Sequence, residues 1–431
     1  MIRKEVCPGI ALTMVNTEKF KENRLALHFI LPLVPEEVQY YAVLSKILKH
    51  GSHAYPSMSA FARQLETLYA SNISCETAVR GETEIFTVSL SMLRNRCTGG
   101  DMDLTVEGTK LLTGLLSEPL LNRDGTGFDE KNVAMEKANF LTQIRSIVNN
   151  KALYAMARCR EEMCKGEPYA TGALGTEEMF RTFDDAKLLP YFKKLLHASR
   201  VEAVFIGDEP EDRISALCQP LFTFLGARQV PDLSCRVVRT VKEVKHITES
   251  ADTVQGKLSV GFRTGVVTAD PISYAYPMFS TVLSASPVSK FFMNVREKRS
   301  LCYYCSMSAD REKGVAFVNA GIANDKKEET VSAVLQEIEA MKKGEITDEE
   351  MRFARSFLID NYRSVTDSLE SMDVFCLGNI LRNEEKSVDD YIDDVNKTTK
   401  EDLTKIADGM LLDTVYFLRG SGDRNEEDSA E

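Results

Sequence analysis

YYAVLSKILKHGSHAYPS, residues 40–57, reads as the end of a helix, a glycine stop and a loop. Pro35-Glu36-Glu37 opens that helix, since proline suits a first turn and acids suit its positive end. Tyr40, Val43, Leu44, Ile47 and Leu48 recur at helical spacing, and Gly51 ends the run. Ser57 is placed to cap a second helix, SAFARQLETLYA. Upstream, the apolar segments 10–16 and 23–31 flank a polar NTEKFKEN stretch and predict a hairpin. Downstream come two strand segments, near 72–79 and 84–92. Helices follow near 101–116, from Asp129 to about Ile147, and over 151–165 to Gly166.

Two distant segments share one plan. DDAKLLPYFKKLLHASRVEAVFIGD (184–208) and TKEDLTKIADGMLLDTVYFLRG (399–420) each run from an acidic start through an amphipathic helix into an apolar strand ending in glycine. A strand also opens the later half at GKLSVGFRT (256–264). The expected class is therefore α+β, with two homologous halves built as mixed sheets with helices on one face. The first half spans 1–227, a polar linker 228–250, the second half 251–421 and an acidic tail 422–431.

The 431 residues allow full cores. A net charge of −12 argues against nucleic acid or an anionic membrane as partner. No apolar run reaches the roughly 18–20 residues that span a bilayer. The N-terminal stretch lacks a signal-peptide cleavage pattern, so the ten cysteines are expected as thiols in the cytoplasm. Phosphate-cradling GxxxxGK[ST] and GxGxxG patterns and the GxSxG elbow are absent.

His50 and His53 stand three apart, but two histidines make neither a closed nor an open zinc site, and the spacing favours a solvated loop pair. Cys302-Tyr-Tyr-Cys305 is a CxxC in a strand-like LCYYCSM. Side chains three apart on a regular strand face opposite ways, so two packed thiols are expected.

The order KHGSHAYPS, SAFARQLETLYASNISCETAVRGE, EPYATGALGTEE (167–178), VEAVFIGD, QGKLSVGFRT and FFMNVREKRSLCYYCSM (291–307) resembles the pitrilysin/insulinase-type metallopeptidases, the inverted zincins with an HxxEH helix. The likeness spans the chain outside the tail and is nearest to two-half members of the mitochondrial-processing-peptidase-like branch. Anchored on Gly51-Ser52 and Tyr55-Pro56-Ser57, it places Ala42 and Lys46 where the zinc-binding histidines would stand and Ser45 at the catalytic glutamate. EKNVAMEK implies Glu130 as a retained acid and Lys137 at the third ligand, or Glu136 after a one-residue slip. A methyl, a hydroxyl and ammonium groups cannot hold a dication, so no metal cofactor is expected. The lysines would then fill the site, against Glu130, or point to solvent.

The resemblance also matches Arg296 and Tyr303 to an arginine and tyrosine that clamp substrate backbone. The glycine-rich loop preceding them in the family is the glycine-free LSASPVSKFF (283–292) here. It implies a non-catalytic subunit that pairs with an active HxxEH-bearing homologue, or self-associates, and lends peptide-binding residues in trans. Two alternatives stand beside it. One is a peptide-binding scaffold without proteolysis, since bacterial inactive homologues are linked to modification of translation elongation factor P. The other is a metalloenzyme with unconventional ligands drawn from the histidine or cysteine pairs.

Overall fold

The computed structural model describes residues 1–100 and 102–421; the expected tail at 422–431 lies outside them. The chain alternates strands and helices. The first sheet is formed by β1 (Ile2–Cys7), β2 (Ile10–Asn16), β3 (Glu22–Pro32), β4 (Asn72–Arg80), β5 (Thr83–Leu93) and β6 (Arg200–Gly207). The helices of this half of the sequence are α1 (Val38–Ile47), α2 (Met58–Thr67), α3 (Leu104–Ser117), α4 (Glu130–Ile147), α5 (Lys151–Met163), α6 (Glu177–Arg181), α7 (Leu188–Ala198) and α8 (Glu211–Leu225). The second sheet is formed by β7 (Lys245–Ala251), β8 (Gly256–Arg263), β9 (Cys302–Asp310), β10 (Val315–Ile322) and β11 (Leu411–Gly420). The later helices along the chain are α9 (Tyr276–Ser280), α10 (Lys327–Lys342), α11 (Asp348–Ser364), α12 (Leu369–Arg382), α13 (Val388–Lys397) and α14 (Lys400–Asp408).

Strand order is β1-β2-β6-β3-β5-β4 in one sheet and β7-β11-β8-β10-β9 in the other. β2 pairs parallel with β6, and β7 pairs parallel with β11; every remaining pair is antiparallel. Apart from the edge strand β1, the two sheets are topologically the same. The helix–strand repeat read from sequence is α7-β6 and α14-β11, and in each sheet its strand is the internal one.

That insertion corrects the expected hairpin. β2 and β3 do not pair with each other, because β6 lies between them and bonds to both. The fully buried VEAVFIG strand satisfies two rows of backbone groups at once. The linker is also corrected. β7 occupies its last residues, pairing with β11 from Thr414↔Lys245 to Gly420↔Ala251, so the second sheet opens at β7 rather than β8.

The compact units interleave along the chain. One comprises Met1–Ile144, Thr171–Ser234 and Val365–Glu385; the other comprises Arg145–Ala170, Cys235–Ser364 and the chain from Lys386 on. Halves split near residue 227 therefore describe the duplication but not the packing. In the first unit α12 covers β6 and β3, burying Leu369, Cys376 and Ile380 against Val204 and Ile206. Asp373 anchors it, meeting His28 Nε2 at 2.9 Å and accepting from Arg24 at 3.1 Å. In the second unit α5 lies across β8, β10 and β11. Gly261 permits that approach, since a Cβ there would sit 2.6 Å from Met163 Sδ. Each sheet thus has helices on both faces, one of them drawn from the other half of the sequence.

Candidate functional site

α1 lies on the first sheet beside β4 and β5. Nine of its residues, from Val38 to Ser45 and Ile47, are buried, so the helix is enclosed rather than half-exposed. At its end Gly51 has φ +138°, and a Cβ there would stand 2.2 Å from the Tyr55 carbonyl oxygen. Only glycine lets the chain fold back so closely. Ser57 caps α2 by accepting from the Ala60 N–H at 3.1 Å, as its sequence position predicts.

Ala42 is fully buried, and the Ser45 hydroxyl donates to the Ala42 carbonyl at 2.7 Å. Lys46 and Lys49 are half-buried on the same helix end. Their charges reach Cys75 on β4, opposing the burial that pushes its thiol up to about 12. Lys137 turns elsewhere: its ammonium donates to Asp185 Oδ1 at 2.7 Å and lies 4.7 Å from the Phe183 ring centroid. Glu130 is exposed at the start of α4. The pairing of lysines with Glu130 is therefore absent among the described residues.

The carboxylate that does meet this region is Glu136. Its Oε1 lies 2.7 Å from His50 Nε2, and its Oε2 accepts from Asn139 at 3.2 Å. His50 is buried while His53 is exposed. The solvated-loop reading holds only for His53, because the short helical turn Leu48–His50 carries His50 inward before Gly51 ends it. A catalytic zinc needs three protein donors around an open position. Positions 42, 45 and 46 present a methyl, a hydroxyl already bonded to its own helix, and an ammonium. Among the described residues no three His, Cys, Asp or Glu side chains gather where they could hold a metal. The donor set does not fit zinc.

In the second unit, the π-helical segment Phe291–Glu297 leads to β9, the edge strand of its sheet. Arg296 is exposed, stacks 4.7 Å from the Phe292 ring centroid and meets Glu297 at 3.4 Å. Tyr303 is 80% exposed. A large aromatic so open to solvent on an edge strand is not packing the core. The glycine-free loop also acts on this strand, as the Ser284 hydroxyl accepts from the Met307 N–H at 2.6 Å.

Residues 182–358 match the family described as Peptidase M16 inactive domain. Across 413 residues the chain is 26% identical to the "Probable inactive metalloprotease YmfF" of Bacillus subtilis strain 168, covering 96% of each. A conserved protein from Enterococcus faecalis V583 superposes with TM-score 0.91 at 23% identity, over 98% of this chain and 99% of that one. The peptidase M16 inactive domain from Pseudomonas fluorescens superposes with TM-score 0.80 at 16% identity, over 97% and 98%.

The chain is similar to inactive M16-type metallopeptidase homologues.

The relatives it matches are described as inactive, and Ala42, Ser45 and Lys46 of α1 offer neither an imidazole nor a carboxylate. No helix among the described residues is long and apolar enough to cross a membrane. Three features escaped the sequence. The His50–Glu136 pair joins residues far apart in the chain. Glu84 on β5 is 1% exposed, and neither carboxylate oxygen has a hydrogen-bond partner; a glutamate inside TEIFTVSLSML was the available signal. The third is the geometry of the CxxC. β9 pairs Cys305 with Ala320 and Cys302 with Ile322, so Tyr303 and Tyr304 on β9 together oppose the single Gly321 on β10. This bulge turns both cysteines to the same side, and both are buried in the second core. The expectation that they face opposite ways is thereby corrected.

Proposed function

We propose that the chain is a non-catalytic, cytoplasmic subunit that pairs with an active HxxEH-bearing homologue and supplies Arg296 and Tyr303 to bind peptide in trans. The observation that carries this reading is a contrast in exposure. The α1 positions that would bind metal are apolar, self-bonded or cationic, whereas Arg296 and Tyr303 remain open to solvent. An exposed guanidinium can donate to peptide carbonyls through its fork, and a phenol can add a donor beside it.

The test is reconstitution with the active homologue. Arg296→Ala is expected to lower turnover of the pair roughly ten- to a hundredfold, the loss of a charged hydrogen bond, while the subunits still co-elute. Tyr303→Phe tests the hydroxyl separately. Unchanged turnover in both variants would overturn peptide binding in trans. Specific peptide binding with no rate change in any partner would instead favour a scaffold, of the kind linked to elongation factor P modification.

A further inference from the structure

The CxxC on β9 has the parts of a thiol–disulfide exchange site. The bulge sets Cys302 and Cys305 opposite residues only two apart on β10. At ~3.3 Å per residue that corresponds to about 6.6 Å along the strand, inside the upper end of the roughly 4.4–6.8 Å between Cα atoms that a disulfide spans. Both side chains lie in the same core, and each thiol shifts the other's titration. The neighbouring Cys305 thiol, and then the Arg296 charge, hold the Cys302 thiol below the ordinary range despite its burial. Cys305 is raised well above it by the neighbouring Cys302 and by burial. One sulfur is thus prepared as nucleophile and its neighbour holds the proton. Cys302 also begins β9, the edge strand of its sheet.

We propose that Cys302 and Cys305 form a reversible disulfide by exchange with a low-molecular-weight disulfide of the glutathione class. The Cys302 thiolate attacks one sulfur of the reagent, giving a mixed disulfide and releasing the first small thiolate, which takes up the proton Cys302 gave up. Cys305, losing its proton to solvent or to the leaving thiolate, then attacks the Cys302 sulfur and releases the second small thiol. Two protein thiols are oxidised and one reagent disulfide is reduced to two thiols. The pair flanks Tyr303, so the two redox forms carry that side chain on differently constrained backbone.

The full chain is equilibrated in mixtures of oxidised and reduced glutathione, quenched in acid, thiol-blocked and mapped by peptide mass. The expected result is loss of two hydrogens on the peptide containing Cys302 and Cys305, reversed by excess reduced glutathione. Cys305→Ser accumulates one glutathione on Cys302, whereas Cys302→Ser leaves Cys305 slow to react. Cys97, which is exposed, reports that reagent was active. The proposal is overturned if both cysteines carry separate glutathiones, if both stay reduced while Cys97 is modified, or if Cys302→Ser leaves Cys305 reacting as fast as Cys302 does in the unsubstituted chain.

Discussion

Glu84→Met is expected to stabilise the protein at and above neutral pH and to flatten its pH dependence. Glu84 sits under α1 with both oxygens unbonded, where burial, with the nearby Glu37 charge, pushes its carboxyl up to about 8. Lys194 cannot relieve it, because its ammonium is held by both Glu37 oxygens at 2.6 Å. In the unfolded chain an ordinary glutamate titrates near ~4.3. Between those values the folded state keeps a proton that the unfolded state has released. The contribution to stability is therefore full below about pH 4, falls as pH rises through the window, and levels off above about 8. Each pH unit inside the window costs up to about 1.4 kcal/mol. Methionine is similar in size and brings no charge, so the gain over the unsubstituted chain should grow from pH 5 to pH 8, reaching a few kcal/mol. Urea unfolding at several pH values measures it. A difference between the two proteins that is the same at every pH would show that Glu84 does not ionise late.

Glu167→Ala should destabilise the second unit by about 3–5 kcal/mol, the cost of breaking a buried ion pair from one side. Glu167 accepts from Arg263 at 2.7 and 3.3 Å and meets Lys313 at 2.6 Å, and both partners are almost wholly buried. The two cations hold its carboxyl below the usual range. Asp413, at 3.0 Å from Arg263, would remain to serve a guanidinium, whereas Lys313, which also donates to the Arg236 carbonyl at 2.6 Å, would lose its Glu167 carboxylate. Adding Lys313→Met should recover part of the loss, since a buried ammonium that has lost the Glu167 charge is then gone. A loss below about 1 kcal/mol, the value typical of a surface pair, would mean that water reaches this cluster.

Local features of the fold were legible because they rest on short-range physics. Gly51, the Ser57 cap, the periodicity of α1 and the α7-β6 and α14-β11 repeat all follow from backbone preference or from one-sided burial. The hairpin failed because pairing is non-local: nothing in 10–31 tells that a strand from residue 200 will lie between its arms. β1 was missed because IRKEVC is an exposed edge strand without apolar alternation. The exchange of α5 and α12 between units was hidden for a related reason. A helix records that one face is buried but not against which sheet.

The site divides in the same way. That Ala42, Ser45 and Lys46 cannot ligate zinc follows from side-chain chemistry and needs no coordinates. Where Lys137 points depends on Asp185 and Phe183, and what Glu136 meets depends on His50. The CxxC reading turned on a single inserted residue, which reverses the face of every side chain before it.

Zinc per chain, measured by elemental analysis on untagged protein purified without chelator, tests the central claim most directly. The account expects near zero, even after incubation with zinc and dialysis, because α1 offers no donors and Glu136 is already engaged by His50. About one zinc per chain that survives dialysis would contradict it, and would make this chain a metalloenzyme in its own right.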